Sequence, residues 1–397
     1  MNNHLYRLIF LLSGLSFFAS ANAAAYLNSD QRSKLELSLK SPPVIEGAAW
    51  AILEVNSGWL VAANNARQPL PPASITKLMM NYVVFEKLSS GEINFTDQVA
   101  ISERAWKAEG SRMFADVNTT IGLKHLLKST IIQSGNDAAI ALAEHTAGSE
   151  PGFARMMNQS AQSLGLLDSF FVNSTGLPDE SHLMSASDIA ALSAAIIREY
   201  PEYYAWYSIK EYSHNNINQR NRNKLIWKDT SVDGLKTGFT EAAGYCLVGS
   251  ALRDGERWIA VVLGAKSEKA REDAVLKLLD YAFDNFDATK LFDQQGGLTS
   301  VDVYGGVDDQ VRLRVSEPVN VVVPEGRADD VVISMQVSPF YKAPIEEGVA
   351  IGFARASLDG KTLKDVPLLA MSRINKGNWW KRFKDSIKLR IGQFLDD

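Results

Sequence analysis

The hydrophobic pattern changes character several times along the chain. Leu8 to Ala19 is an apolar run broken only by small residues. Ala48-Ala49-Trp50-Ala51-Ile52-Leu53-Glu54-Val55 reads as a buried strand, Asn56-Ser57-Gly58 turns it, and Trp59-Leu60-Val61-Ala62-Ala63 returns. Pro71-Pro72 halts extended structure ahead of an apolar-periodic helix predicted from about Ser74 to Leu88. From about Ile101 to Tyr200 the pattern is mostly helical and Ala-rich. Strand patterns resume at Val232 to Thr237, Tyr245 to Leu252 and Trp258 to Gly264, with Arg253-Asp254-Gly255-Glu256 turning between the last two. A helix is predicted from Glu268 to about Phe286, where Ala274, Leu278 and Tyr281 keep helical spacing. Strands thus lie on both sides of a helical insert. The simplest assembly is an α/β domain: one sheet built from both sequence ends, flanked by helices, with a helical subdomain beside it.

The texture changes again from about Gly297. Val311-Arg312-Leu313-Arg314-Val315 alternates with period two, and Val319 to Val323 and Val331 to Val337 are further β-rich runs. A small all-β domain is predicted over 291–373. In the last segment, 374–397, Trp380, Phe383, Ile387, Ile391 and Phe394 fall on one helix face, while Lys381, Arg382, Lys384, Lys388 and Arg390 lie largely elsewhere on the wheel. A basic helix with such a face suits the membrane interface, and docking on the β domain is the competing use of the same face.

Composition narrows this picture in two ways. The 397 residues, 46% hydrophobic and 22% charged, suffice for a core and for two domains, and a formal net charge of −5 gives no sign of nucleic-acid binding. The single cysteine, Cys246, allows no internal disulfide and reads as a buried, idle thiol. Arg7, the apolar run after it and Ala21-Asn22-Ala23 have the form of a secretory signal peptide over 1–23. Its removal deletes Arg7 and no acid, taking the charge of −5 to −6. The folded part, with its catalytic domain over 24–290, is therefore expected outside the cytoplasm.

Three short strings carry chemistry. In Ser74-Ile75-Thr76-Lys77 the serine and lysine are i, i+3 and share a helix face. A serine needs a base within hydrogen-bond reach, and a lysine serves as one when burial or a neighbouring cation lowers its pKa; Lys236 is a candidate for that cation. Ser134-Gly135-Asn136 sits between two helical stretches, where glycine permits a turn that aims both flanking side chains into one cleft. Lys236-Thr237-Gly238 ends a strand, where glycine admits a substrate backbone and the lysine offers a cation to a carboxylate. Taken singly, each has an ordinary structural explanation: a coincidence on an amphipathic helix, a helix cap, strand-end punctuation. Their joint occurrence in this order, on these elements, points to one serine-based acyl-transfer site without a histidine. His125, His145, His182 and His214 stand in no nucleophile or metal spacing, and neither an HExxH nor a paired-cysteine pattern argues for a metal.

With Pro72-Ala73 before the first string, Asp137-Ala138 after the second, Asn221-Arg222-Asn223, and Val232-Asp233-Gly234-Leu235 before the third, the chain resembles the low-molecular-mass penicillin-binding proteins that act as D-alanyl-D-alanine carboxypeptidases. The resemblance spans nearly the whole chain and implies a transpeptidase-like fold, no cofactor, and these roles. Ser74 is the nucleophile, Lys77 takes its proton, and Ser134 relays a proton to the leaving amine. Asn136 holds the substrate amide. Lys236, Thr237 and Arg222 hold the terminal carboxylate. The backbone N–H groups of Ser74 and Phe239 form the oxyanion hole. It also implies peptidoglycan pentapeptide as substrate, β-lactams as covalent inhibitors, attachment to a membrane surface through 374–397, and a place on the periplasmic face of the inner membrane. One departure stands out: some members have histidine where this chain has Phe239, so no side-chain contribution of that histidine carries over. Competing readings are a class A-like β-lactamase, which needs a deacylating glutamate that the sequence does not single out, an endopeptidase cutting D-alanyl cross-links, and a non-catalytic wall-binding scaffold, which has no need of the intact serines and lysines.

Overall fold

The computed structural model describes residues 8–10 and 41–395, with side chains over 41–388; the expected signal segment otherwise lies outside the described residues. The chain divides into two compact units, one centred on 40–285 and one on 286–397.

The first unit is organised by an antiparallel five-stranded sheet of β1 (Ala49–Glu54), β2 (Leu60–Asn64), β3 (Val232–Thr240), β4 (Gly244–Arg253) and β5 (Glu256–Ala265). Their order is β2-β1-β5-β4-β3. The two sequence ends meet where β1 pairs with β5, from Trp258 opposite Glu54 to Leu263 opposite Ala49. All six residues of β1 are buried, so helices cover both faces of the sheet, which is why β1 reads as a continuous apolar run rather than an alternating one. The covering helices include α5 (Ala186–Glu199) and α6 (Glu268–Asn285). At one margin lies β3, the strand carrying Lys236-Thr237-Gly238, with β4 as its sheet partner.

The helical insert holds α1 (Lys77–Ser89), α2 (Leu123–Ile132), α3 (Asn136–Ala147) and α4 (Glu150–Ser163). Every residue from Lys77 to Phe85 is buried, which makes α1 the axis of the unit. The helix expected from Ser74 begins instead as a tight 3-10 turn over Ala73–Thr76 and becomes α-helical at Lys77. Segments 107–122 and 164–185, expected within the helical region, contain no α-helix; they are loops with short bridges and a strand at Thr120–Gly122. Cys246 is buried, and burial pushes its thiol up to about 11, out of the reactive range.

The second unit starts with β6 (Phe286–Phe292), which follows α6 without a break and pairs with β9 (Val319–Pro324). This strand begins at Phe286, ahead of residue 291, where the all-β domain is predicted to start, and of Gly297, where the pattern changes in the sequence. A larger sheet joins β7 (Thr299–Tyr304), β8 (Gln310–Val315), β10 (Val332–Val337), β11 (Phe340–Lys342), β12 (Ala350–Leu358) and β13 (Lys361–Ala370) in the order β10-β12-β13-β8-β7-β11, with Leu8–Phe10 parallel beside β10. The last helix, α7, spans Trp379–Leu395. It meets its own unit through polar side chains: buried Asp385 accepts a hydrogen bond from Gly305 N, and Lys381 pairs with Asp309 at 2.9 Å. Trp379, Trp380, Phe383 and Ile387 stay exposed. Among the described residues no helix is long and apolar enough to cross a membrane.

Candidate active site

The three strings converge on one cleft in the first unit. Ser74 sits in the 3-10 turn and Lys77 opens α1, so the i, i+3 spacing places the lysine Nζ 3.1 Å from Ser74 Oγ. Nζ also donates to Asn136 Oδ1 at 2.6 Å and to the Thr175 carbonyl at 2.7 Å. Lys77 is fully buried, and burial lowers its pKa to about 7 against the opposing pull of Asp137 and Glu150. A neutral amine has two N–H bonds and one lone pair. With Asn136 and Thr175 taking the N–H groups, the lone pair is left facing Ser74 Oγ, which is the arrangement of a general base with its nucleophile.

Ser134 and Asn136 flank Gly135 at the start of α3. Ser134 adopts a left-handed backbone, φ 67°, and its Oγ is buried with no hydrogen-bond partner, an acceptor and donor held ready in the cleft. Gly135 has no room for a side chain, because a Cβ there would lie 2.4 Å from Ser129 Oγ. Asn136 is held at both ends, its Nδ2 donating to the Glu109 carbonyl at 2.6 Å while Oδ1 receives Lys77. Asp137 fixes the rim above, accepting hydrogen bonds from Met113 N at 3.0 Å and Ala115 N at 3.2 Å.

Lys236 and Thr237 reach the cleft from β3. Lys236 Nζ donates to the Thr237 carbonyl at 3.0 Å. Burial, followed by the cations of Lys77, Arg222 and Arg271, drives its pKa well below the usual lysine range. A carboxylate placed beside it would reverse that pull. Gly238 is where the strand touches the 3-10 turn: a Cβ there would come within 2.8 Å of the Pro72 carbonyl, and this close approach brings the Gly238–Phe239 backbone beside Ser74. In Asn221-Arg222-Asn223 the two asparagines are structural. Asn221 Nδ2 donates to Tyr207 O and Ile209 O, both at 3.0 Å, and Asn223 Nδ2 donates to Gly234 O at 2.9 Å. They turn the chain so that Arg222 stays exposed, its Nη2 3.4 Å from Ser111 Oγ on the rim.

Several residues that shape the site carry no local sequence signal. Thr175 supplies a carbonyl to Lys77. Asn173 Oδ1 accepts from Thr175 N, Thr175 Oγ1 and Gly176 N at 3.1, 3.0 and 2.7 Å, which makes the turn that presents it. Gly176, at φ 82°, is packed so tightly that a Cβ would fall 1.8 Å from the Ala73 carbonyl oxygen. His182 lies behind the Ser74 turn, its Nε2 2.7 Å from Thr76 Oγ1 and its Nδ1 accepting from Val172 N at 3.2 Å. Burial lowers its pKa to about 4, so it is neutral in the working range. Arg271 of α6, itself buried, donates to Gly238 O at 3.1 Å and Cys246 O at 3.4 Å and adds positive charge behind β3. Among the described residues no cluster of histidine, cysteine and carboxylate side chains could hold a metal.

Similarity to known proteins extends over both units of the chain. Residues 37–267 match the D-alanyl-D-alanine carboxypeptidase family, and residues 286–376 match the penicillin-binding protein 5 C-terminal domain. D-alanyl-D-alanine carboxypeptidase DacC of Escherichia coli K12 is 35% identical over 393 residues, covering 97% of both chains. D-alanyl-D-alanine carboxypeptidase DacA of Haemophilus influenzae is 37% identical, covering 88% of this chain and 91% of its own. The crystal structure of penicillin-binding protein 5 from Haemophilus influenzae superposes with a TM-score of 0.81 at 38% identity, over 85% of this chain and 100% of that one. Penicillin-binding protein D2 of Listeria monocytogenes, solved with ampicillin bound, matches 62% of this chain and 100% of its own at a TM-score of 0.57 and 28% identity.

Proposed function

The chain belongs to the D-alanyl-D-alanine carboxypeptidase family and is a serine-type enzyme of that kind; we propose that it removes the terminal D-alanine of peptidoglycan pentapeptides through an acyl-enzyme on Ser74. The observation that carries this reading is the buried Lys77 amine, 3.1 Å from Ser74 Oγ, with its N–H groups committed elsewhere. Lys77 takes the Ser74 proton as Oγ attacks the penultimate D-alanine carbonyl. The oxyanion of the tetrahedral intermediate sits between the N–H groups of Ser74 and Phe239. Ser134 passes a proton to the leaving amine, the C–N bond breaks, and D-alanine departs. Water then hydrolyses the ester and restores Ser74. Lys236, Thr237 and Arg222 hold the terminal carboxylate, and Asn136 holds the substrate amide. A β-lactam acylates the same serine, but its leaving nitrogen stays tethered and hinders hydrolysis; ampicillin-bound and cefotaxime-bound relatives support this extension.

The placement that accords with this chemistry is outside the cytoplasm, at the periplasmic face of the inner membrane. Two features support it: the signal-like residues 1–23, and the exposed Trp379, Trp380, Phe383 and Ile387 of α7, beside basic side chains and opposite the polar contacts of Lys381 and Asp385. Release of D-alanine from a pentapeptide, followed for the native protein and for Ser74→Ala, tests the activity; release at the native rate by the variant would refute the mechanism.

A further inference from the structure

Glu150 is a buried carboxylate that the proposed reaction does not use. It opens α4 and is only 4% exposed. An acid in a first helical turn ordinarily serves the free N–H groups of its own helix. Here Ser149 already does so, its Oγ accepting from Gly152 N at 3.2 Å. The Glu150 carboxylate is directed instead to a turn 24 positions further along the chain. Its Oε1 accepts from Ser174 N at 3.0 Å and from Ser174 Oγ at 2.8 Å, and its Oε2 pairs with Arg104 of the short helix Glu103–Trp106. Ser174 is fully buried, so removal of Glu150 would take the acceptor from two buried donors, which is costly.

The residues after Ser174 connect this anchor to the cleft. Thr175 gives its carbonyl to Lys77 Nζ at 2.7 Å, and Gly176 packs against Ala73 and Thr76 of the Ser74 turn. The 173–176 turn is thus held from within by Asn173 Oδ1 and from outside by Glu150. The charged groups that act on Lys77 are few. Asp137 and then Glu150 favour its protonated form against burial, Lys236 and Lys77 oppose each other as cations, and His182 beside them is neutral. The two carboxylates divide the work. Asp137 is committed to the N–H groups of Met113 and Ala115, whereas Glu150 holds the turn that touches the amine.

We propose that Glu150 is a positioning residue for acylation: by holding Ser174 it fixes the Thr175 carbonyl against Lys77, which keeps the amine directed at Ser74. This role rests on the acyl-enzyme reading and adds to it a residue that touches neither substrate nor nucleophile. The test follows acylation of the purified full-length protein by benzylpenicillin across pH, with rates expressed per folded molecule. Glu150→Gln keeps an oxygen acceptor for both Ser174 donors and removes the negative charge. Its limiting rate at high pH stays close to native, and its inflection moves to lower pH, because a carboxylate that favoured the protonated amine is gone. Glu150→Ala removes the acceptor as well, and its limiting rate falls about ten- to a hundredfold, the effect of a base no longer held in line. Ser174→Ala drops one of the two hydrogen bonds and keeps the charge, so its limiting rate falls less and its inflection stays in place; it replaces Glu150→Ala if that variant does not fold. A Glu150 that only supported the fold would lower melting temperatures without moving either kinetic quantity. An unmoved inflection in Glu150→Gln, or a native limiting rate in Glu150→Ala or its replacement, would overturn the proposal while leaving the acyl-enzyme intact. Failure of benzylpenicillin to acylate the native protein would overturn the acyl-enzyme reading and this role with it.

Discussion

Lys77 Nζ and Asn136 Oδ1 lie 2.6 Å apart, joining the first residue of α1 to the first residue of α3 across 59 positions of sequence. That contact, with the Thr175 carbonyl at 2.7 Å, leaves the amine one direction in which to act. Lys77→Ala removes the base and should lower acylation by a penicillin roughly a hundred- to ten-thousandfold. Asn136→Ala frees one N–H of the amine and should also slow acylation, by less. Stopped-flow or quenched acylation assays on the folded variants check both; native rates in Lys77→Ala would show that another group takes the Ser74 proton.

The pH dependence follows from the direction of the Lys77 shift. Because its pKa is lowered to about 7, acylation should rise as pH passes through about 7 and level off above it. Phe239 adds no titrating group, whereas Phe239→His introduces one with an ordinary pKa of about 6.5 and should add a second inflection. Stability moves in the same sense. Between about pH 7 and the ordinary lysine value of 10.5, the unfolded chain binds a proton at this site that the folded chain does not. The contribution of this site to stability therefore rises with pH across that window. Urea melts at several pH values, comparing the native protein with Lys77→Met, isolate it.

Gly176 is expected to be intolerant of any side chain. At φ 82° and with the Ala73 carbonyl oxygen 1.8 Å from a would-be Cβ, Gly176→Ala must shift the nucleophile turn. A loss of about 2–4 kcal/mol in stability is expected, together with most of the acylation rate. Gly58, at φ 72° with nothing near its would-be Cβ, is the control: Gly58→Ala should cost only about 1 kcal/mol and leave activity alone. Equal melting temperatures for the two variants would contradict the packing argument.

Membrane attachment is tested by deletion, and the fold sets where to cut. Ile374 is buried and bridges to Ile345, so removing residues from 374 would injure the β domain, whereas removal from Trp379 keeps that bridge and gives up the polar contacts of Asp385 with Gly305 and of Lys381 with Asp309. The shortened protein should stay in solution with anionic lipid vesicles that sediment the full chain, and should keep its activity on a soluble pentapeptide. Cosedimentation unchanged by the deletion would rule out α7 as the attachment.

Most of this site was legible because its chemistry sits in contiguous strings. Ser74-x-x-Lys77 places the proposed nucleophile and base within one helical turn, a local geometry that spacing alone dictates. The half supplied from afar was not legible. Thr175 acts through a backbone carbonyl, and Gly176 through the absence of a Cβ, 98 and 99 positions from Lys77; neither leaves a side-chain pattern to read. Arg271, on the charge-rich Glu268–Asn285 helix, looks like a solvated residue, and only the sheet beneath it makes it a buried donor to Gly238. Among the elements, the 3-10 start at Ala73 escaped periodicity because a tight turn over Pro72 continues directly into α1. The junction at Phe286 escaped because α6 passes into β6 with no glycine or proline between them.

The central claim is that Ser74 carries the acyl group. Intact-mass measurement after brief incubation with benzylpenicillin, followed by peptide mapping, addresses it directly. The account predicts a mass increase equal to one benzylpenicillin per chain, located on the peptide containing Ser74 and absent from Ser74→Ala. Modification at any other residue, or an adduct that persists in Ser74→Ala, would contradict it.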